Sequence, residues 1–531
     1  MTRFPIRRGQ PATTSADYVV VGAGAAGSVI ADQLSAAGAS VVVLEAGAAR
    51  RHPYSSIPAA FSKLFQSRHD WNYTTVAQPH MADRRMYWPR GKMLGGSTAI
   101  NAMIYMRGHR ATFDSWVQQG NVGWGFDDLV SQFTALECSH RGASELHGTE
   151  GGLDVGPQRS PNPLSLAFVD AAEAAGFTRN DDFNGSEQEG FGLYDVTQRD
   201  GRRASAATAF LLPAMGRANL TVETGAHATR VIIRDGKAVG VEWARGRQRH
   251  LTYADAEVIL CGGAINSPQL MMLSGIGPSA HLSSHGIDVI ADSPRVGQNL
   301  QDHLVCGPAV AVNQPITLAH AETPRSLWHY VSRRQGMLTS IIAEAGGFVR
   351  LHDDVVPDLQ FHFAPVYFIN HGFDSPSTDG MSVGATLVSP HSRGSIELAS
   401  ADPLAAPRID PNYLSDARDR RLLIDGCRLA RELADQAPFA PYVDREYLPG
   451  PSVDTDDEWG QFIAERAETL YHPAGTCAMG PDDADVVDDQ LRVRGVDGLR
   501  VADASIMPTI VNANTQAITM AIGKQAADFV R

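Results

Sequence analysis

The chain has 531 residues, of which 43% are hydrophobic and 20% charged, and its formal net charge is −14 at pH 7. This composition is typical of an ordered globular protein, and the length exceeds that of a single hydrophobic core, so we expect at least two substructures. The acidic balance, with scattered lysine and arginine, argues against a nucleic-acid partner. Five cysteines without a C-x-x-C pair indicate a reducing compartment, without a disulfide framework or a metal site.

The chain termini and hydropathy bear on location. Residues 1–15 carry three arginines but no apolar stretch, so we predict a flexible tail rather than a signal peptide. No window approaches about 18 consecutive apolar residues, which predicts that no segment spans a membrane. We expect a cytoplasmic protein, with peripheral attachment to the inner membrane left open. The sequence does not indicate an oligomeric state.

The first ordered segment predicts a βαβ unit. Asp17–Val21 is a β-branched run suited to a buried parallel strand, and an alanine- and leucine-rich helix follows to about Ala37. A second strand then ends at Glu45. Between the first strand and the helix stands the motif G-x-G-x-x-G, formed by Gly22, Gly24 and Gly27.

This arrangement predicts a dinucleotide site. Gly22 permits a tight turn, Gly24 lets the backbone approach a pyrophosphate, and Gly27 allows close packing of helix on strand. The N–H groups at the start of the helix favour phosphate binding. Glu45 lies 18 residues after Gly27, where a carboxylate can accept hydrogen bonds from ribose hydroxyls. The motif alone does not distinguish NAD from FAD.

Further motifs follow in order along the chain. They read G-K-M-L-G-G-S-T-A-I-N at Gly91–Asn101, G-A-I-N-S-P-Q-L-M-M-L-S-G-I-G at Gly263–Gly277, V-G-Q-N-L-Q-D-H at Val296–His303, S-R-G-S-I-E-L at Ser392–Leu398, A-P-R-I-D-P-N-Y-L-S-D at Ala406–Asp416, L-Y-H-P-A-G-T-C-A-M-G at Leu470–Gly480, V-A-D-A-S-I-M-P-T at Val501–Thr509 and N-A-N-T at Asn512–Thr515. Together they resemble the motifs of the glucose–methanol–choline (GMC) oxidoreductases, FAD enzymes that oxidise alcohols. The resemblance covers nearly the whole chain and is closest to the bacterial choline-dehydrogenase and aliphatic-alcohol-dehydrogenase branch.

The resemblance implies FAD as the cofactor. Gly95 has no side chain, so the backbone can pass close to a flat isoalloxazine, and Asn101 with the following main chain can bond its polar edge. Some members attach FAD through a histidine just before this asparagine; Ile100 stands there and cannot form that bond, so we expect non-covalent FAD. The residues expected at FAD are Gly22, Gly24, Ala25, Ala26, Gly27, Glu45, Ala46, Trp71, Met93, Gly95, Ser97, Asn101, Ala102, Met103, Ile104, Val231, Asp503, Ala504, Asn514 and Thr515.

The resemblance also assigns the catalytic residues. His472 maps onto the active-site base and Asn514 onto its partner, with capping of the helix that follows to about Val530 as the other possible role of Asn514. Oxidation of an alcohol removes a hydroxyl proton, which a neutral imidazole can take near pH 7, and a hydride, which flavin N5 accepts. If the alcohol is as weak an acid as water, its pKa exceeds that of imidazole by about nine units. Proton and hydride loss must therefore be closely coupled, or the oxyanion stabilised by Asn514 and imidazolium.

The expected fold class is α/β (α+β overall). It combines a discontinuous Rossmann-type FAD-binding domain, over 16–158, 215–304 and 464–531, with a substrate-binding domain built on an antiparallel sheet with helices, over 159–214 and 305–463. Pro357–Phe368 alternates with the period of a strand. Its aromatic residues Phe361, Phe363, Tyr367 and Phe368 either line a pocket or form sheet core. Ala311–Pro324, polar and aperiodic, predicts a lid or a plain loop.

The predicted activity is oxidation of a primary alcohol to an aldehyde, with electrons passed to a quinone or another acceptor. An oxidase that reduces O2 to hydrogen peroxide is the closest alternative, and a non-redox lyase on the same fold is a further one. The substrate stays open among choline, aliphatic and aromatic alcohols. A cationic substrate would need a carboxylate with an aromatic cage, and the sequence indicates neither securely.

Overall fold

The computed structural model describes residues 7–49, 52–351, 355–374 and 376–531. In this part of the chain the α-helices are α1 (Ala25–Ala36), α2 (Arg110–Gln118), α3 (Phe126–Leu136), α4 (Pro163–Ala174), α5 (Leu212–Ala214), α6 (Gly263–Leu273), α7 (Ser279–Ser284), α8 (Pro324–Arg333), α9 (Ala417–Ala434), α10 (Asp456–Arg466) and α11 (Gln516–Phe529).

The strands are β1 (Arg7–Val21), β2 (Val41–Glu45), β3 (Tyr73–Thr74), β4 (Tyr87–Trp88), β5 (Glu137–Ser139), β6 (Leu153–Val155), β7 (Gly190–Leu193), β8 (Gln198–Arg199), β9 (Arg202–Arg203), β10 (Leu220–Thr224), β11 (His227–Arg234), β12 (Lys237–Arg245), β13 (Gln248–Leu260), β14 (Ile276–Gly277), β15 (Ala291–Asp292), β16 (Leu304–Cys306), β17 (Ala309–Val312), β18 (Ala345–Val349), β19 (Leu359–Ala364), β20 (Gly380–Leu387), β21 (Ser395–Glu397), β22 (Arg408–Asp410), β23 (Val443–Leu448), β24 (Glu468–Thr469) and β25 (Leu499–Val501).

The first large sheet is parallel at its centre. Its order is β10-β2-β1-β13-β12-β11, with β25 also paired to β13. The pairs among β10, β2, β1, β13 and β25 are parallel, and β12 and β11 add an antiparallel meander at one edge. The valines of β1 and β2 are buried, as expected of a parallel sheet covered on both faces. The predicted βαβ unit is therefore present.

The start of β1 differs from the prediction of a flexible tail. Residues 12–16 pair in parallel with His250–Ala254 of β13, so the strand begins well before Asp17. The long β13 offers its first half as a template, and a chain segment beside it satisfies its backbone groups by pairing. Residues 1–6 of the predicted tail lie outside the described residues.

The second large sheet is antiparallel, in the order β23-β17-β20-β19-β18-β7, with β16 paired to β20 and to β24. On β19 the side chains alternate: Phe361 and Phe363 join the hydrophobic core, whereas His362 and Ala364 face a cavity. The α/β fold class with a Rossmann-type unit and an antiparallel sheet is confirmed. Strand β24 belongs to this sheet although it lies beyond residue 463, so the exact domain bounds stay a prediction.

Helix α11 joins the C-terminus to the first βαβ unit. A Cβ atom on Gly523 would lie 2.7 Å from Ala26 Cα, so α11 packs against α1 at backbone distance. The hydroxyl of Tyr18 donates to the carbonyl of Val530 at 2.7 Å. This packing brings the last 20 residues to the glycine-rich turn at the other end of the chain.

The five cysteines are free thiols. Within the described ranges, none of the helices combines the length and the hydrophobicity that a membrane span requires.

Candidate active site

A cavity of about 610 Å³ runs from the glycine-rich turn, between the two large sheets, to His472 and Asn514. Most residues predicted at FAD line it. They are Gly22, Gly24, Ala25, Ala26, Glu45, Ala46, Trp71, Ser97, Asn101, Ala102, Met103, Ile104, Asp503, Ala504, Asn514 and Thr515.

Four residues predicted at FAD do not line the cavity. Met93 is 1% exposed and packs in a hydrophobic cluster with Phe61 and Phe65. Val231 is also 1% exposed, and its N–H donates to Ser274 Oγ. Gly27 packs against the backbone of Gly22, and Gly95 lies against side chains of Ala207, Thr98 and Ser205 while its N–H donates to Ala23 O at 2.8 Å. These four residues therefore lie behind the residues that line the cavity and pack against them.

The glycine-rich turn is shaped by close backbone contacts. Gly22 has φ +105°, and a Cβ there would lie 2.4 Å from the carbonyl oxygen of Cys261. A Cβ on Gly27 would lie 2.0 Å from the carbonyl oxygen of Gly22. Gly96 has φ +52°, and its Cβ would lie 2.8 Å from Gly24 Cα. The turn and the Gly91–Asn101 loop therefore fit together only without side chains, and leave a cradle at the N-terminus of α1.

Glu45 has a structural role that the sequence did not show. Its carboxylate accepts the N–H of Ala23 at 2.9 Å and that of Gly47 at 2.7 Å, which fixes the two loops around the cradle. Burial raises its pKa, against the lowering effect of these N–H groups and of Lys92. A carboxylate has about four lone-pair positions, so two remain for ribose hydroxyls.

A polar edge lies at the other end of the predicted flavin position. Arg203 donates to Asn101 Oδ1 at 2.6 Å, and Asn101 Nδ2 donates to Gln516 Oε1. Burial lowers the pKa of Arg203 to about 9, and its other hydrogen bonds in the described chain go to the carbonyl groups of Ser55 and Thr98 rather than to a carboxylate. Gln516 lines the cavity, and its Nε2 is buried without a partner in the described chain.

Asp503 ties the second signature motif to the C-terminal motif. One of its oxygens accepts from Gly263 N at 2.7 Å and from Ser267 Oγ at 2.6 Å, and the other accepts from Ser505 N. This explains the A-I-N-S-P stretch: its turn is held against Asp503 beside the cavity.

His472 is held by pairing of two distant motifs. The N–H of Leu470 donates to His303 O at 2.8 Å, and Gln301 and Ala474 exchange backbone hydrogen bonds. The N–H of His472 itself donates to Asp302 Oδ1 at 2.7 Å. The Q-D-H and H-P-A-G motifs thus lie side by side, and this fixes where the imidazole emerges.

The hydrogen bonds around His472 determine its tautomer. The hydroxyl of Tyr194 donates to the carbonyl of Phe361, because a carbonyl can only accept. The hydroxyl oxygen of Tyr194 is therefore left to accept a hydrogen bond from Gln360 Nε2 at 3.3 Å. Gln360 Nε2 also donates to Asn514 Oδ1 at 3.0 Å. The amide of Asn514 therefore directs its Nδ2 donor toward His472 Nε2, 3.4 Å away.

The other ring nitrogen completes this chain of hydrogen bonds. His472 Nδ1 lies 2.9 Å from His303 Nδ1, so one of the two nitrogens donates and the other accepts. Because Nε2 faces the donor of Asn514, the proton of His472 lies on Nδ1 and is donated to His303. The basic lone pair of His472 is thus on Nε2, the nitrogen on the side of Asn514.

Electrostatics keep these rings neutral. Burial lowers the pKa of His472 well below its usual value, and His303, His362 and Arg90 lower it further. Burial and the neighbouring His362 lower the pKa of His303 to about 3, and burial alone lowers that of His362 to about 3. Burial raises the pKa of Asp302 to about 6, against the lowering effect of its hydrogen bonds.

Several residues around His472 were not predicted from the sequence. The motif at Val296–His303 does not show a role for Asp302 or His303, and the alternation of Pro357–Phe368 does not single out Gln360 or His362. His362 lines the cavity and donates to or accepts from Thr386 Oγ1 at 3.0 Å, while its Nε2 has no partner in the described chain. The available signal was the period-two spacing of the polar residues Gln360 and His362, which places them on one face of the strand.

The predicted substrate side of the cavity is lined by apolar residues and by charged residues of both signs, the latter being Arg84, Arg90, Asp374, Glu465, Arg466 and Glu468. Of the four aromatic residues considered for the pocket, Phe368 lines it, whereas Phe361, Phe363 and Tyr367 do not. Other apolar lining comes from Phe61, Phe65, Val305, Ile342, Ala364, Val383, Leu448 and Phe462. No residue of Ala311–Pro324 lines the cavity; Leu318 N donates to Pro365 O, and Thr317 and His320 bond Asp379, so this segment is a tethered loop rather than a lid.

The residues present fit FAD. The cradle at α1 excludes side chains where a pyrophosphate would approach, Glu45 keeps free acceptor capacity, and Gln516 Nε2 lacks a partner at the polar edge. Together the fold and the site define a dinucleotide-binding protein with a buried, neutral histidine at the far end of its cavity.

Comparisons with known proteins identify the family. Models of the N- and C-terminal regions of GMC oxidoreductases match residues 16–305 and 390–523. An alcohol dehydrogenase [acceptor] of Pseudomonas putida is 45% identical over 97% of this chain and 95% of its own length. An oxygen-dependent choline dehydrogenase of Brucella ovis is 42% identical with the same coverage.

Solved structures agree with this assignment. A pyridoxine 4-oxidase from Mesorbium loti has a TM-score of 0.89 at 33% identity and covers 96% of this chain and 98% of its own. A formate oxidase of Aspergillus oryzae RIB40, studied for modification of its FAD, has a TM-score of 0.92 at 30% identity and covers 98% of each chain. The chain belongs to the GMC oxidoreductases, and the resemblance seen in its motifs is confirmed. It is an FAD-dependent enzyme of this family.

Proposed function

We propose that the protein oxidises a neutral primary alcohol to an aldehyde, with His472 Nε2 as the base that accepts the hydroxyl proton. The observation that carries this proposal is the fixed tautomer of His472, whose lone pair lies beside the Asn514 amide at the cavity. The relatives named alcohol dehydrogenase and choline dehydrogenase support an alcohol as substrate. The apolar residues on the substrate side, together with charged residues of both signs, favour an uncharged one.

The protein residues divide the work as follows. FAD, when bound, supplies the hydride acceptor. His472 takes the proton, Asn514 Nδ2 is a donor beside the same nitrogen and can stabilise negative charge on the substrate oxygen, and His303 keeps the imidazole in the required tautomer.

The lowered pKa of His472 has a mechanistic consequence. The ring is neutral at pH 7 and ready to accept a proton, but the surrounding groups stabilise imidazolium poorly. A free alkoxide paired with imidazolium is therefore even less accessible than the usual pKa values imply. We infer that proton transfer to His472 and departure of the hydride occur together.

We further propose that FAD is held non-covalently and that electrons pass to a quinone or another acceptor. Ile100, which lines the cavity and is 3% exposed, offers no atom for a covalent bond. The P. putida relative, named for an acceptor, supports a dehydrogenase. Reduction of O2 is the second candidate, supported by the structural relatives named as oxidases. A cytoplasmic location belongs to the same proposal, and peripheral attachment to the inner membrane is left open in it.

The variant His472→Ala tests the base. We expect it to retain FAD, released by acid precipitation at the wild-type ratio, and to lose flavin reduction by about 100- to 10,000-fold. The rate is measured by anaerobic bleaching of the flavin spectrum with a panel of aliphatic, aryl and quaternary-ammonium alcohols. His140→Ala, a half-exposed histidine outside the cavity, is the control. An unchanged reduction rate in His472→Ala would remove this residue from the mechanism, and preference for choline would contradict the neutral substrate.

A further inference from the structure

Helix α8 presents an apolar face to solvent. Leu327, Trp328 and Val331 are 51%, 57% and 62% exposed, and their spacing puts them on one side of the helix. The opposite side is anchored, because Tyr330 is 3% exposed and packs with Ala321 and Leu338. Three large exposed apolar side chains within five residues form a patch, unlike single exposed residues that are normal on protein surfaces.

The same helix is basic. Arg325 and Arg333 are exposed, Arg334 follows directly, and Arg333 lies over the Trp328 ring at 5.5 Å. No Asp or Glu occurs from Pro324 to Ala343, and Glu322 just before the helix pairs with Lys63. The whole chain carries a net charge of −14, so this basic segment is an exception on an acidic protein.

We propose that α8 docks the protein on the surface of an anionic phospholipid bilayer. An amphipathic helix with tryptophan and leucine on one side and arginines beside them is the pattern that inserts its apolar face at the headgroup boundary. Charge at the helix supports a lipid occupant, because its arginines attract anionic headgroups. In a symmetric dimer formed through this face, the same arginines of the two copies would lie close together and repel each other. Arg202, which also acts on Tyr330, adds positive charge at the same place.

The position of α8 relates the membrane to the cavity. Its buried face packs on Ile57 and Ala59, which lead into the turn that carries Phe61, a lining residue. After α8 the chain continues through a short 3-10 turn at Met337–Thr339 to Ile341 and Ile342, which also line the cavity. One layer of side chains therefore separates the docked helix from the substrate side. A lipid-dissolved alcohol or quinone would reach this side from the bilayer, a consequence that rests on the proposed function, whereas docking itself does not.

Vesicle binding by the FAD-loaded protein tests the proposal. We expect co-sedimentation with phosphatidylcholine vesicles containing phosphatidylglycerol, and little with phosphatidylcholine alone. Arg325→Gln with Arg333→Gln should weaken the partition about 25-fold, about fivefold for each arginine. Leu327→Ser, Trp328→Ser and Val331→Ser together should abolish it. Val289→Ser with Ile290→Ser, which alters another exposed apolar pair, is the matched control and should bind as the wild type does.

A fluorescence measurement gives a second readout. Trp328 is the only tryptophan among the seven that is more than a third exposed, and all seven lie in the described residues. Its emission should shift to the blue with anionic vesicles, and this shift should be absent in Trp328→Phe. Wild-type protein that stays in the supernatant, or vesicle binding that survives both sets of α8 substitutions, would overturn the proposal. So would a dimer that the triple serine variant dissociates, since a second copy would then cover the face.

Discussion

The two large sheets each provide one wall of the same cavity, and they do so in different ways. The parallel sheet contributes the cofactor end mainly through one short contiguous turn, Gly22–Gly27, which lies within a single βαβ unit. The proposed catalytic end is built at the antiparallel sheet from side chains of separate segments: Gln360 of β19 bonds Asn514, and His303, which directly precedes β16, bonds His472. The first end depends on the absence of side chains, and the second on the exact position of a few.

The comparison predicts that the cofactor end fails when a side chain is added. Gly96→Ala places a Cβ at 2.8 Å from Gly24 Cα at φ +52°, so the loop must move away from the turn. We expect FAD affinity to fall at least about 100-fold, the cost of a few kcal/mol. The measurement is the dissociation constant for FAD after reconstitution of apoprotein.

Gly38→Ala is the matched control for this variant. Gly38 has φ +96°, but nothing lies within 4 Å of a Cβ at that position. It should carry a similar backbone strain and cost about 1 kcal/mol of stability while binding FAD normally. An equal loss of FAD affinity in both variants would show that backbone strain, rather than the close contact with Gly24, causes the loss in Gly96→Ala.

The wall formed by the antiparallel sheet is expected to affect stability instead, because a buried carboxyl group there makes the free energy of unfolding depend on pH. Burial raises the pKa of Glu468, a cavity-lining residue on β24, to about 7 from its usual 4.5. The folded chain thus binds more protons than the unfolded chain between these values, and stability falls as pH rises through this window. Glu468→Gln cannot ionise, so it should match the wild type near pH 4.5 and exceed it by up to about 3 kcal/mol above pH 7.

Thermal and urea unfolding across this pH range measure the effect. Glu432→Gln, which changes an exposed carboxylate on α9, should leave the pH slope of the wild type unchanged. A slope that persists in Glu468→Gln would mean that another group produces it.

The smallest expected effect concerns the tautomer of His472. His303→Leu removes the acceptor for Nδ1–H, so the ring can adopt the tautomer with its proton on Nε2. We expect flavin reduction to slow by about 10- to 100-fold with little change in KM. His303→Asn, whose Oδ1 can accept near the position of Nδ1, should recover most of the rate.

Recovery by asparagine separates this role from packing, because leucine fills the site equally well without accepting a hydrogen bond. The pH profile of flavin reduction provides the second readout and should change in His303→Leu but not in His303→Asn. If both variants lose the rate to the same extent, His303 serves packing rather than the orientation of the proton.

The sequence predicted the βαβ unit closely. The helix ends at Ala36 rather than Ala37, and the second strand ends at Glu45 as expected, because glycine positions and buried valine runs act locally. His472 and Asn514 were placed through motif resemblance, and the structure brings them to 3.4 Å of each other. The sequence could not decide whether the aromatic residues of β19 line the cavity. Alternation with period two shows that a strand has two faces, but it does not show which face meets the cavity.

The sequence by itself determined the class of site. The glycine spacing admits a dinucleotide, Ile100 stands where some relatives have a histidine bonded to FAD, and His472 supplies a ring that can accept a proton. These depend on local backbone geometry and on the chemistry of single side chains. Only the tertiary structure decided which nitrogen of that ring is basic, since the answer passes from Phe361 through Tyr194, Gln360 and Asn514 to His303. Hydrogen-bond direction is transmitted between residues more than 150 positions apart, and no local pattern in the chain records it.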